Sequence, residues 1–156
     1  MELFLMRHGH AEVEAPKDSI RPLSAHGKMQ VADIIRENIT ELANVQSLIV
    51  SPYLRAQETA HIVQNELANV PKQDADWLVP NANPRFLVEQ LHNMFHEQGK
   101  TSLMLVTHQP LVGIVLDELC GLEPGRHRMA TASLAAIDTE VLAVNCCKLR
   151  WARHAL

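Results

Sequence analysis

Aromatic residues are scarce in this chain, 4% of 156 residues, and positive charge is not in excess: Lys and Arg total 14 against 18 Asp and Glu, a net charge of -4. The first shortage removes the stacking platforms on which single-stranded nucleic acid is held. The second removes the broad basic footprint that duplex phosphates require. No nucleic acid is therefore expected as a partner, although a small local anion pocket stays compatible with this balance. Cysteine is nearly missing. Cys120, Cys146 and Cys147 are odd in number and two are adjacent, which fits neither a disulfide framework nor a paired zinc spacing. Free thiols fit a reducing compartment, and the cytoplasm is the expected location. Long hydrophobic runs are also lacking. The longest apolar stretch, 103–119, is interrupted by His108, Gln109, Pro110 and Asp117, so no membrane span is expected and no membrane partner. The first six residues carry no basic segment before Arg7, so no signal peptide is expected.

What remains is globular: 47% hydrophobic and 21% charged residues, long enough to bury a core without staples. No repeat, low-complexity tract or linker divides the chain, so one domain over 1–156 is expected. Strand and helix signals alternate. Leu3–Met6, Leu48–Val50 and Leu103–Val106 are short continuous apolar runs of the kind buried in a parallel sheet. Asp76–Val79 is a weaker strand candidate. A helix is predicted from near Ser24, with Val31, Ile34, Ile35, Ile39 and Leu42 on one face. Another carries Ala56, Ala60, Val63 and Leu67 inward. Asn83-Pro84 caps a third, with Leu87, Leu91, Met94 and Phe95 inward and Gly99 closing it. A fourth runs from Pro110 to Gly121. The alternating tail from Ala132 to Trp151, with a turn near Asp138-Thr139-Glu140, reads as an antiparallel pair at the sheet edge. The expected fold is a three-layer α/β/α sandwich with a mostly parallel central sheet.

In such sheets ligands lie beyond the carboxyl ends of the strands. Three polar groupings fall there: Arg7-His8-Gly9 after the first strand, Ser51 to Arg55 after the second, and His108 after Thr107. Any one alone reads as a solvent-facing arginine or a hydrogen-bonded histidine. Together they place two guanidinium forks and two imidazoles at one edge. Arginine pairs its donors with phosphate oxygens, and histidine serves as nucleophile, acid or donor near neutrality. Gly9 lets the backbone approach a ligand closely. Such concentrated positive charge calls for a phosphate- or sulfate-like anion in the site.

These residues resemble a known family. Met6-Arg7-His8-Gly9 is similar to the Arg-His-Gly signature of the histidine phosphatase superfamily, with its phosphoglycerate-mutase-like fold. Arg21-Pro22-Leu23-Ser24-Ala25-His26-Gly27 resembles its Pro-Leu-(Ser/Thr)-x-x-Gly segment. Ser51-Pro52-Tyr53-Leu54-Arg55-Ala56 resembles its Ser-x-x-x-Arg-Ala segment, and Val106-Thr107-His108 its second histidine. The short chain and the run His108 to Gly113 are most similar to the SixA-type protein-histidine phosphatases. The resemblance implies His8 as nucleophile, Arg7 and Arg55 clamping the phosphoryl oxygens, His108 donating to an equatorial oxygen and Arg21 adding a phosphate contact. It implies no metal and no organic cofactor. The implied substrate is phosphohistidine on a signalling phosphotransfer domain or on a phospho-carrier protein, turned over through a phosphohistidine intermediate. The alternative is a small-molecule phosphomonoesterase on the same fold. A non-catalytic phosphohistidine-binding module is disfavoured, since binding alone needs no nucleophile.

The chain departs from the family where larger members carry an acidic residue that protonates an alcohol leaving group. Here Trp77 to Asn83 offers no carboxylate. An alkoxide leaves poorly without such help, whereas the imidazole of a phosphohistidine can be protonated near neutral pH. Asp18 is read as a solvated loop carboxylate in preference to a substitute acid, and Glu58 as a helix-surface partner of Arg55 in preference to an orienter of the clamp. His92 and His96 have a spacing that could hold metal, but no third ligand accompanies them and they read as surface residues. His10 and His26 lie near the site in sequence and are read as tuning its field without taking part. His61, His127 and His154 read as ordinary.

Overall fold

The structure, a computed structural model, describes residues 1–155. Its strands are β1 (Glu2–Arg7), β2 (Ser47–Val50), β3 (Lys72–Asp74), β4 (Ser102–Thr107), β5 (Leu134–Asp138) and β6 (Lys148–Arg153). Its α-helices are α1 (Ala25–Glu37), α2 (Leu54–Glu66), α3 (Pro84–His96) and α4 (Leu111–Cys120), with single 3-10 turns at Asp18–Ile20 and Asp76–Leu78. The strands form one sheet in the order β3-β2-β4-β1-β5-β6. β1, β2, β3 and β4 run parallel, with Leu3 opposite Leu103 and Leu48 opposite Met104. β5 joins β1 antiparallel, Leu3 opposite Ile137, and β6 returns against β5.

The apolar runs become central strands because helices cover both faces of the sheet. Alternate residues go to opposite cores. Leu3, Leu5, Leu103, Leu105 and Ile137 pack with Leu87 and Leu91 of α3 and with Val112 and Leu116 of α4. Phe4, Met6, Met104, Val106 and Leu134 pack with Val31, Ile34 and Ile35 of α1 and with Ala56, Ala60 and Val63 of α2. The result is the three-layer sandwich expected, with a mixed sheet.

Local chemistry sets the helix ends. Ser24 caps α1 by accepting from the Gly27 amide at 3.0 Å. Asn83 accepts from the amides of Arg85 and Phe86 at 2.9 and 3.3 Å, and Pro84 occupies the first turn. Gly121 closes α4 in the left-handed conformation at φ +64°. Among the described residues, no helix is long and apolar enough to cross a membrane.

Three expectations are corrected. Asp76–Val79 is not a strand: residues 76–78 form a 3-10 turn, and the strand is Lys72–Asp74, which pairs with β2 at the sheet margin with all three residues exposed. Ile39 is not on the buried face of α1, because the helix ends at Glu37 and Ile39 is 41% exposed. Asn38 ends it by donating its side-chain amide to Ile34 O at 2.7 Å, competing with continuation of the helix. The tail turn is longer than predicted. β5 and β6 pair antiparallel, but 139–147 forms an extended connection. That connection is fastened to the α4 backbone, Asn145 N to Glu118 O at 2.9 Å and Cys147 N to Leu119 O at 3.0 Å. It is also held by two histidines of α3: His92 Nδ1 donates to Leu142 O at 3.1 Å, and Leu142 N donates to His96 Nε2 at 3.0 Å. The His92–His96 spacing thus serves the backbone N–H and C=O of one residue, Leu142. Among the described residues no group of three or more His, Cys, Asp or Glu is placed to hold a metal.

Candidate active site

The carboxyl ends of β1, β2 and β4 bring the three groupings together. Backbone bonds stitch them: His8 N to Thr107 O at 3.0 Å, Ser51 N to Val106 O at 3.0 Å, Arg7 N to Ser133 O at 3.1 Å and Ala132 N to His8 O at 2.9 Å. The rings of His8 and His108 stand 5.0 Å apart. Arg7, His8, Arg21 and Arg55 line one cavity of about 300 Å³, with His10, Ala11, Val13, Gln109 and Thr131 completing it.

His8 is held in one protonation pattern. Its Nδ1–H donates to the Gly9 carbonyl at 2.7 Å, leaving a lone pair on Nε2, which accepts from Arg55 Nε at 3.2 Å. Burial disfavours the imidazolium most, and the charges of Arg55, Arg7 and Arg21 add to this against the opposing pull of the Gly9 carbonyl, so the pKa falls from 6.5 to about 3. His108 is 1% exposed. Its pKa falls to about 2, through burial first and then His8 and Arg55. Its Nε2 pairs with the Ser51 hydroxyl at 2.7 Å, that hydroxyl also accepts from Tyr53 N at 3.3 Å, and the Tyr53 ring stands edge-on to His108. Both imidazoles are neutral near pH 7.

Two buried nitrogens here, Arg7 Nε and His108 Nδ1, have no hydrogen-bond partner among the described residues. Arg7 is otherwise anchored by Nη1 to Met129 O at 2.9 Å. Buried donors are rarely left unpaired, and an oxyanion would satisfy them.

Asp18 is the solvated loop carboxylate expected, its side chain 56% exposed, but it is also paired with two arginines. Its Oδ2 meets Arg55 Nη2 at 3.2 Å, its Oδ1 meets Arg21 Nη1 at 3.1 Å, and its backbone carbonyl takes Arg55 Nη1 at 2.8 Å. Desolvation alone would raise its pKa, but the hydrogen bonds and charges of Arg21 and Arg55 outweigh it and hold the carboxyl below the usual aspartate value. An acid so held is ionised at neutral pH and has no proton to give.

Gly9 is also placed differently from the expectation of a ligand-facing backbone. Its amide donates to Thr59 Oγ1 at 3.1 Å, and a Cβ there would lie 2.7 Å from Gly27 O and 2.9 Å from Val31. The close approach that demands glycine is to α1. Gly27 answers it, since a Cβ there would sit 2.0 Å from the His10 carbonyl. Glu58 does not pair with Arg55. It accepts the Leu23 amide at 2.8 Å and so ties the Pro22-Leu23 segment to α2. Thr59 and Glu58 are supporting residues that sequence reasoning missed or misplaced. A threonine one turn after Arg55 was the available signal; it is buried, and its hydroxyl donates back to Arg55 O at 2.7 Å.

Comparison with known proteins agrees with this geometry. The model of the histidine phosphatase superfamily (branch 1) matches residues 3–78. The chain is 32% identical over 130 residues to the phosphohistidine phosphatase SixA homolog of Haemophilus influenzae, covering 78% of each. It is 31% identical over 145 residues to the phosphohistidine phosphatase SixA of Escherichia coli, covering 90% of this chain and 86% of that one. The structure of the protein histidine phosphatase SixA complexed with tungstate superimposes with a TM-score of 0.90 at 27% identity, over 99% of this chain and 97% of that one.

Proposed function

Because the chain belongs to the histidine phosphatase superfamily and is a phosphatase, we propose that it hydrolyses phosphohistidine on proteins, with His8 as the covalent nucleophile. The observation that carries this reading is the state of His8, with Nδ1–H committed to the Gly9 carbonyl and the Nε2 lone pair at the cavity beside Arg55. In the first step Nε2 attacks phosphorus and the P–N bond to the substrate breaks. In the second, water releases phosphate and returns the electron pair to Nε2. Arg7 and Arg55 clamp the phosphoryl oxygens, and Arg21 adds a contact from the rim. With the Ser51 hydroxyl donating to His108 Nε2, the unpartnered His108 Nδ1 carries a hydrogen for an equatorial oxygen. Fixed donors of this kind act on the charge spread over the transferring group. The relative whose structure holds tungstate, a phosphate-shaped oxyanion, supports an anion at this position.

The substrate we favour is the phosphohistidine of a relay phosphotransfer domain or a phospho-carrier protein, with the cytoplasm as the place of action. The relatives named above are phosphohistidine phosphatases, and Asp18, held ionised by two arginines, gives no help to an alkoxide. A brief pulse of a labile phosphoryl donor should label the protein in an acid-labile, alkali-stable form, and His8→Ala should abolish the label. Phosphorylated relay and carrier proteins should be dephosphorylated while simple sugar phosphates are not. Efficient turnover of a sugar phosphate would overturn the substrate assignment, and labelling of His8→Ala would overturn the nucleophile.

A further inference from the structure

One titratable side chain in the cavity is unused by this scheme. His10 is exposed and lines the same cavity as His8, Arg7, Arg21 and Arg55. Its position is fixed from three sides. Its backbone amide donates to Gln30 Oε1 at 3.0 Å, its carbonyl accepts from Ser24 N at 2.9 Å, and its ring Nδ1 meets Ser24 Oγ at 2.7 Å. Ser24 Oγ accepts from Gly27 N at 3.0 Å and lies 3.2 Å from the His10 carbonyl, so it can accept Nδ1–H while donating its own hydrogen to that carbonyl. That arrangement satisfies every protein partner whether or not the ring is charged. The proton that comes and goes is then on Nε2, which has no protein hydrogen-bond partner among the described residues.

We infer that His10, oriented by Ser24, is the proton donor and acceptor of the reaction, serving the leaving group in the first step and water in the second. The inference rests on the phosphohistidine reading above. In the first step the bond between phosphorus and the substrate ring breaks with its electron pair on the ring nitrogen, which takes the proton from His10 Nε2. In the second step the attacking water forms a P–O bond and gives its proton back to His10 Nε2, while the P–N bond to His8 breaks and its pair returns to His8. One proton is lent and recovered, and inorganic phosphate leaves. A histidine exchanging a proton with a histidine ring passes it between chemically equivalent nitrogens. The other candidates have other roles: His8 is the nucleophile in this reading, His108 pairs its Nε2 with Ser51 and offers Nδ1 to a phosphoryl oxygen, and the Asp18 carboxylate is bound by Arg21 and Arg55. The groups facing His10 are His26 on α1, with ring centroids 5.9 Å apart, and across the cavity His8 and the guanidinium groups of Arg7, Arg21 and Arg55. His26 makes no bond to Ser24 and serves as the control.

Rapid mixing with 2,4-dinitrophenyl phosphate separates the steps, since dinitrophenolate departs without a proton. In His10→Gln the burst of dinitrophenolate should stay within about threefold of the wild type, while the later steady turnover falls about a hundredfold and phosphoenzyme accumulates. Transfer from free phosphohistidine should fall by a similar factor, and added imidazole should restore turnover to His10→Ala. His26→Gln should match the wild type. If His10→Gln turns over normally, or if burst and turnover fall together, the inference is overturned. A wild type that shows neither burst nor label would instead overturn the nucleophile assignment, independently of His10.

Discussion

Acid should loosen this fold from its active site outward, starting well above the range where carboxylates titrate. In the unfolded chain His8 and His108 take up protons as the pH falls through 6.5, whereas in the folded protein they stay neutral until about pH 3 and about pH 2. The unfolded state therefore binds more protons throughout this window, and stability falls as pH falls. Each such group costs about 1.4 kcal/mol per pH unit, so between neutrality and about pH 5 each withdraws ~2 kcal/mol and the pair ~4 kcal/mol. Asp18 does not enter this window, because its depressed pKa makes its contribution vanish only below the ordinary aspartate range. The assay is urea unfolding at several pH values in buffer free of phosphate. The informative quantity is the difference between wild type and His8→Gln. That difference should shift by about 2 kcal/mol between pH 7 and pH 5, toward the variant. Parallel stability curves for the two proteins would refute the buried neutral imidazole, as would protonation of the His8 ring near pH 6 in a nuclear magnetic resonance titration.

Arg55→Lys should lower the rate about a hundredfold with little loss of stability, because an ammonium cannot present paired donors to phosphoryl oxygens; the check is single-turnover phosphorylation of His8. Asp18→Asn should tighten inhibition by inorganic phosphate about two- to fivefold, since the carboxylate competes for Arg21 and Arg55 with an exposed-pair strength of up to about 1 kcal/mol, and weaker inhibition would show that Asp18 assists binding. Thr59→Val leaves the buried Gly9 amide without its acceptor and should cost about 1–3 kcal/mol in urea unfolding. The same variant should slow phosphorylation, since Gly9 holds the His8 tautomer.

Much of this was legible in the chain because the relevant signals are local. The runs Leu3–Met6, Leu48–Val50 and Leu103–Val106 announce buried strands by composition alone, and each is followed at once by the residues that gather in the cavity. Ser24 and Asn83 announce helix starts because a cap acts within three residues. What escaped detection depends on partners distant in sequence. Lys72-Gln73-Asp74 has no apolar pattern and is a strand only because β2 offers a free edge. Thr59 matters through an amide fifty residues earlier, and Glu58 through one thirty-five residues earlier. Asp18 looks like any loop acid until the chain folds two arginines onto it. The spacing of Ile39 fits the α1 face, but Asn38 stops the helix first.

The order of strands has a consequence for synthesis. β1 does not lie beside β2, the strand that follows it in the chain. Its neighbours are β4 and β5, with Leu3 opposite Leu103 on one side and Ile137 on the other. At about 5–20 residues per second, the strand that leads into His8 therefore emerges from the ribosome and waits several seconds or more for anything to pair with. A nascent chain stopped before residue 102 has no partner for β1, and one stopped before residue 132 lacks the amide that holds the His8 carbonyl. Such fragments carry Arg7-His8-Gly9 intact yet lack the backbone bonds that seat it. The bonds from Arg7 N to Ser133 O and from Ala132 N to His8 O form only when the segment leading into the last antiparallel strands is in place, so partial products of translation lack the support that seats Arg7 and His8.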